Sequence, residues 1–496
     1  VPLKILESIR FMTPKRRIGI IGGLGMLAGM DVHAKLLHAS RHHPADGSPD
    51  VLFEQKRFDS GKPTGAGHPD LNARKLYIFD MMKRFELAQA DSVMLPCFIS
   101  HTFLHELQTE LPLPIPNMMD ALLAYLKRHA GGVDLGVLTS DYVRQQKLFE
   151  TYFEPHGYRV VYPNAALQAR CVMPAVYDAA GLQAGGSHER AAALLLEACV
   201  DLIDQGADII VPGATEIAII TEMLGAGCDV PVIDTNLVYA EYALAHRDPP
   251  PAHDFTIGIV GGIGPAATVD FMDKIVRNTP AQSDQGHLKM LVDHNPKIPD
   301  RTANLIGCGE DPTIAIFAAC KRLEANHVDL IAIPCNTAHA YVDRILPYLK
   351  VPVVNMLHET VRHIAQYYPG RGTVGLLATS GTIASRVYHD AARDAPFQLI
   401  VPDEAHQGLV MHAIYGETGV KAGYTEGRCK DDLMRALAHL VRRGARLVIL
   451  GCTELPLLVN SGADVEVDGQ RIAILDPTDL LARRCVSLAD ACDKPM

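Results

Sequence analysis

Short apolar runs of four or five residues recur along the C-terminal half of the chain: Thr256–Val260, Leu288–Val292, Leu330–Ile333, Val351–Val354, Thr373–Leu377, Phe397–Val401, Leu447–Leu450 and Ile472–Leu475. Runs this short, without polar alternation, read as strands buried on both faces. Between them the apolar positions follow a helical period, as over Thr313–Asn326 and Asp431–Arg443. Strands alternating with helices predict parallel sheets covered on both faces. The eight strands divide into two four-stranded units, the first ending near the Pro369-Gly370 turn. In open parallel sheets ligands bind beyond the carboxyl ends of the strands, so the residues just after each strand become the functional candidates.

The chain repeats itself once. IGIIGGLGMLAGMD from Ile18 to Asp31 recurs without a gap as IGIVGGIGPAATVD from Ile257 to Asp270. LPC at Leu95–Cys97 recurs as IPC at Ile333–Cys335, and VPGATEI from Val211 as ILGCTEL from Ile449. Three ordered matches at a nearly constant offset identify a tandem duplication, and only two copies rule out a solenoid. The length of 496 residues alone argues for three or four domains. The repeat raises this to four, paired two by two. The reading is α/β, with four Rossmann-like or flavodoxin-like parallel-sheet domains in two pseudo-symmetric halves. Its boundaries are an N-terminal extension (1–15), a first half (16–247, divided near 128/129), a Pro-rich linker (248–255) and a second half (256–496, divided near 368/369).

Composition narrows the partners. Lys plus Arg total 46 against 57 Asp plus Glu, a net charge of −11, which argues against nucleic-acid or anionic-membrane binding. No window approaches the ~18 uninterrupted apolar residues of a spanning helix. Lys15-Arg16-Arg17 precedes Ile18-Gly19-Ile20-Ile21 much as a signal peptide's basic region precedes its core, but glycines break that run at once, so a buried strand fits it better. Eleven cysteines, an odd number without close paired spacing, indicate neither a disulfide framework nor a zinc site. A reducing, cytoplasmic setting is expected.

Two of those cysteines stand apart. Cys335 in AIPCNTAH and Cys452 in VILGCTELP each follow a predicted strand, one in each domain of the second half. Each is followed by polar residues and an expected helix, whose N-terminus would favour thiolate. A lone cysteine at such a place is more often a small core residue, but two at equivalent strand ends are better read as facing one another across a cleft.

At these residues the chain resembles the cofactor-independent aspartate/glutamate racemase family, nearest its aspartate racemase branch. The likeness rests on GGIGP at Gly261–Pro265, PCNTAH at Pro334–His339, GLLAT at Gly375–Thr379 and GCTELP at Gly451–Pro456. It departs from the glutamate racemases of cell-wall synthesis, which usually begin with Asp-Ser-Gly and carry a His after the second Cys-Thr; here Gly261-Gly262 and Glu454 stand there. The resemblance implies a two-base mechanism at Cys335 and Cys452, one thiolate and one thiol exchanging roles on opposite faces of the substrate's α-carbon. It implies no pyridoxal phosphate or other cofactor and no metal.

The resemblance also implies binding groups. Arg301 in PDRT matches a carboxylate-binding arginine, and Lys421 in GVKAG a second cationic anchor. Asn336, Thr337 and Thr453 would donate to the carboxylate or to enolate-like charge, with Thr379 and Thr382 as weaker candidates. The Gly261-Gly262-Ile263-Gly264 turn, with Gly262 as a binding residue, would line the pocket; it lacks the spacing of a dinucleotide loop. His339 reads as a structural polar residue. The expected partner is a small amino acid or dicarboxylate, with aspartate or glutamate foremost.

The first half departs from this pattern. Cys97 matches Cys335, but Ala214 stands at the place of Cys452, Phe98 at Asn336, Gln183 at Lys421 and Met26 at Pro265. Around Phe58-Asp59-Ser60 no counterpart of Arg301 is evident. A half with one sulfur cannot invert a centre by two bases, so it reads as a structural pseudo-subunit, with regulator binding or one-cysteine chemistry as alternatives. Since family members resemble dimers, the fused chain is expected to be a monomeric pseudo-dimer or a further homo-oligomer. Two other readings stay open for the second half: another cysteine-dependent reaction, such as diacid cis-trans isomerisation or malonate decarboxylation, and a non-catalytic amino-acid sensor.

Overall fold

The computed structural model describes residues 15–41, 49–58, 70–247, 249, 254–370 and 372–492. Two compact units result, Val1–His253 and Asp254–Met496. The expected N-terminal extension, apart from Lys15, and most of the expected linker lie outside the described residues.

Unit 1 carries two three-stranded parallel sheets. Strands β1 (Arg17–Ile21), β2 (Asp50–Glu54) and β3 (Ser92–Met94) run in the order β2-β1-β3, and β4 (Asp134–Leu138), β5 (Arg159–Val161) and β6 (Ile209–Pro212) in the order β5-β4-β6. Unit 2 is fuller. Strands β7 (Thr256–Gly261), β8 (Lys289–His294), β9 (Leu330–Ala332) and β10 (Val353–Val354) form a sheet in the order β10-β9-β7-β8. Strands β11 (Thr373–Ala378), β12 (Gln398–Ile400), β13 (Leu447–Gly451), β14 (Gly462–Val467) and β15 (Gln470–Leu475) form the other, in the order β12-β11-β13-β15-β14.

The eight strands expected in unit 2 are present, with ends moved by a residue or two. β14 was not expected, and it corrects the wholly parallel reading because it pairs antiparallel with β15. Its cause is legible in VEVDGQRIAI, where Asp468 and Gly469 both take positive φ (51° and 73°), the conformation of a two-residue hairpin turn.

Within unit 2 one core joins both sheets. Ile257 and Ile259 of β7, Leu330 of β9, Val374 and Leu376 of β11, and Leu447 and Ile449 of β13 share a buried cluster. The alternate residues face away: Val260 and Ile331 into one outer core, Leu377, Val448 and Leu450 into another. Each sheet is therefore buried on both faces, which explains the unbroken apolar runs. The last helix, Pro477–Cys492, packs on the first, Pro265–Asn278, and Lys274 pairs with Asp476 at 2.6 Å. Unit 1 repeats the device: helix Thr235–Ala245 packs on Met26–Ser40, with Lys35 2.8 Å from Asp234.

Candidate active site in unit 2

Both sheets of unit 2 have a topological switch point. The chain leaves β7 toward β8 on one side while β9 lies on the other, and β11 stands in the same relation to β12 and β13. Crevices form at such points, beyond the carboxyl ends of the strands. One cleft of about 270 Å3 collects residues from both: Ile263 follows β7, Arg301 and Thr302 follow β8, Cys335 to Thr337 follow β9, Thr379 follows β11, and Cys452 to Glu454 follow β13.

Eight of the nine site residues expected from the sequence line this cleft: Cys335, Cys452, Arg301, Asn336, Thr337, Thr379, Lys421 and Thr453. Gly262 does not. Its φ is +84°, and a Cβ there would lie 2.5 Å from the Asn295 carbonyl carbon, so it serves close packing of the turn on the loop after β8; its neighbour Ile263 faces the cleft. Sequence reasoning missed Thr302 and Tyr415, and noted Glu454 only as a departure from the family pattern. Thr302 adjoins Arg301, the one signal that pointed to it.

Arg301 begins the short helix Arg301–Leu305, whose N-cap is Asp300. The guanidinium is buried, its Nη1 donating to the carbonyls of Ile298 (3.3 Å) and Pro299 (3.0 Å), while its Nε has no partner. Burial opposes its charge, but the facing Cys335 and Asp300 more than offset that and raise its pKa. Asn336 is also half-satisfied: its Oδ1 accepts from Tyr388 at 2.6 Å, and its buried Nδ2 has no partner. Two buried, unspent donors suit a carboxylate, because leaving them unmade is costly.

Glu454 organises the opposite wall. Lys421 Nζ donates to its Oε1 (2.6 Å), and Cys452 Sγ and Thr453 Oγ1 donate to its Oε2 (3.0 and 3.3 Å). Burial works against the carboxylate, yet Lys421 and these bonds hold Glu454 below the usual range. Burial and the Glu454 charge together push the Cys452 thiol well up, against the pull of Lys421. This corrects the expectation of a helix dipole favouring thiolate there, since only the three-residue turn Leu455–Leu457 follows Cys452. After Cys335 the helix begins at His339. Gly264 lets Glu454 approach: a Cβ there would meet Oε1 at 2.3 Å.

Four threonines tie the two sheets together across the cleft. Thr302 bonds Thr379 at 3.0 Å, and Thr337 bonds Thr382 at 2.7 Å and Thr379 at 3.3 Å. Thr379 also caps the helix Ser380–Ala384. His339 is committed to the backbone, its Nδ1 3.0 Å from the Cys335 carbonyl and its Nε2 accepting from Met356 N at 3.3 Å. Burial lowers its pKa to about 4, so the ring is neutral and holds the Cys335 loop.

Unit 1 has a cleft at the matching place, about 350 Å3 in extent, lined by Cys97, Phe98, Ala214 and Gln183 among others. The missing arginine is there after all. Arg74, from helix Leu71–Leu87, is buried and donates from Nη1 to Cys97 Sγ at 3.2 Å. Asp70 caps that helix as Asp300 caps its own, but Arg74 lies one turn further along than Arg301. Outside the clefts, Asp403, His406 and His439 lie close enough to share a metal ion, although Asp403 is already engaged as the cap of helix Glu404–Tyr415.

The geometry defines a class first: an α/β unit in which two sheets each deliver one sulfur to a single cleft, with a duplicated partner that delivers one. The chain belongs to the Asp/Glu/Hydantoin racemase family, whose pattern it matches twice, over residues 21–243 and 260–485. It is 28% identical over 239 residues to the broad specificity amino-acid racemase RacX of Bacillus subtilis (strain 168), covering 47% of this chain and 96% of that one. It is 35% identical over 169 residues to a glutamate racemase of Herpetosiphon aurantiacus, covering 34% of this chain and 62% of that enzyme. Among solved structures it resembles the Picrophilus torridus aspartate racemase, at 29% identity and a TM-score of 0.42, over 48% of this chain and 94% of that one. RacX corresponds to about half of this chain, as a tandem duplication requires.

Proposed function

We propose that unit 2 is an amino-acid racemase acting without a cofactor on an acidic amino acid, aspartate or glutamate, and that Cys335 and Cys452 are its two bases. The observation that carries this reading is one sulfur from each sheet in a cleft that also holds the unspent donors of Arg301 and Asn336. Inversion needs a proton removed from one face of the α-carbon and another returned on the opposite face. Cys452 Sγ donates to Glu454, and its raised pKa suits the proton-bearing acid. Cys335, beside Arg301, takes the α-proton; the electron pair left on carbon spreads into the carboxylate, which Arg301 and Asn336 hold. The opposite enantiomer runs the sequence in reverse. The names of RacX and of the glutamate racemase support the reaction class, and the small cleft lined by the buried Arg301 and by Lys421 supports a small acidic substrate.

Incubation with single enantiomers in deuterium oxide tests the proposal. Racemisation yields both hands and one solvent-derived α-deuteron; isomerisation or decarboxylation changes the carbon skeleton, and a sensor does neither. Eleven free thiols fit a reducing, cytoplasmic location. A covalent pseudo-dimer predicts that a chain truncated to residues 251–496 self-associates or loses stability; a stable, fully active monomer would overturn it.

A further inference from the structure

The cleft of unit 1 differs from that of unit 2 in a consistent direction. Asn336, Thr337, Thr382 and Cys452 are replaced by Phe98, Ile99, Val143 and Ala214, so these four positions become apolar, while Ser140, Tyr177 and Thr215 keep polar groups in the lining. Lys421 becomes Gln183, so Glu216, the counterpart of Glu454, has no lysine beside it among the described residues. Burial raises the Glu216 carboxyl pKa, with Thr215 and Arg74 pulling the other way. The cation has nonetheless been kept. Arg74 is only 7% exposed, lines the cleft, rests on the Phe58 ring at 5.0 Å and touches Cys97, yet its Nε has no partner. A buried guanidinium with an unmade bond is costly, and a wall that had become merely structural would have no use for it.

We propose that the unit 1 cleft is a second ligand site, taking a small monocarboxylate with an apolar side chain, its carboxylate on Arg74 and its side chain against Phe98, Ile99 and Val143. The site stands apart from the racemase reading, since none of its residues belongs to unit 2. Among the described lining residues Arg74 is the one cation, so one carboxylate finds an opposite charge; a second would meet only neutral groups and the buried Glu216.

Alkylation of Cys97 by iodoacetamide in the full chain, followed by peptide mass spectrometry, reads this cleft locally. Isovalerate or phenylacetate at about ten times its dissociation constant slows the modification about tenfold, and succinate at the same concentration does not. Arg74→Met removes the protection, Arg74→Lys weakens it, and Cys335→Ser leaves it unchanged whether or not unit 2 is a racemase. Calorimetric titration of isovalerate into Arg301→Ala needs no reactive thiol: heat of binding persists there and disappears when Arg74→Met is added to a chain whose circular dichroism is native. Equal protection by succinate, protection that survives Arg74→Met, or no heat of binding in Arg301→Ala would each overturn the proposal.

Discussion

The two clefts are built on the same frame and diverge only in what the frame carries. Thr379 and Ser140 both cap the helix that follows the first strand of the second sheet, and each accepts from the backbone three residues on. His339 and His101 both bridge the cysteine loop to the next helix, and burial brings both pKa values down to about 4. Tyr415 and Tyr177, Thr453 and Thr215, and Glu454 and Glu216 line both clefts. What differs is the second sulfur, the lysine, the amide and two threonine hydroxyls, those of Thr337 and Thr382. Duplication thus keeps the capping hydroxyl, the bridging histidine and a buried arginine in both units, and the second sulfur, the lysine and the amide in one.

The largest effect should follow from the sulfurs. Cys335→Ser and Cys452→Ser each lower racemisation by about 10²–10⁴-fold, the range of a lost general acid or base. Cys97→Ser leaves it unchanged, as chiral chromatography of the products would show. Cys452→Ala gives unit 2 the single sulfur of unit 1; such a variant exchanges the α-proton of one enantiomer with solvent but does not invert it. Loss of racemisation in Cys97→Ser would place the chemistry in the wrong unit.

Next in size comes the fork of Arg301. Arg301→Lys keeps a charge but loses the planar pair of donors, and a charge-assisted hydrogen bond of about 1.5–3 kcal/mol corresponds to about 10–150-fold in kcat/KM. Unit 1 shows why the sequence disclosed one arginine and hid the other. Arg301 directly follows its capping aspartate, whereas Arg74 reaches its cysteine from a turn deeper in the helix, and no alignment by position finds it. The positions of the strands were legible because the central ones, β7, β9, β11 and β13, are buried on both faces and so show unbroken apolar runs. The β14–β15 hairpin was missed because β14 shows no such run, and its signal lay in Asp468-Gly469. The cysteines were legible because they follow strands directly. The pairing of Lys421 with Glu454 was not, since 33 residues separate them and only the fold brings them together.

That pairing gives the third prediction. Lys421→Gln copies unit 1, where Gln183 and Glu216 line the same cleft. Without the ammonium, Glu454 loses the cation that holds its pKa down, and Cys452 loses the one charge that opposes its upward displacement. Both pKa values therefore rise. For the direction in which Cys452 must give up its proton to become the base, the acid limb of the pH–rate profile moves to higher pH, and at a fixed pH on that limb the rate falls about tenfold for each pH unit the limb travels. Glu454→Gln does the reverse, removing the anion that raises Cys452 and moving the limb to lower pH. Coincident profiles for the two variants would break the link.

The smallest effect on turnover, and the sharpest on the comparison, concerns a residue the two units share. Gly262 and Gly23 occupy matching places after β7 and β1, and a Cβ at either would collide with the loop beyond the neighbouring strand, at 2.5 Å from Asn295 in one case and 1.7 Å from the Lys56 carbonyl oxygen in the other. If glycine is kept there for packing and not for binding, Gly262→Ala and Gly23→Ala both lower stability to urea, each by about 1–3 kcal/mol. In either variant the folded fraction keeps its KM, because the substituted side chain points at the loop and away from the cleft. A raised KM in Gly262→Ala with unchanged stability would return Gly262 to the binding residues and make the turn, too, a place where the units had diverged.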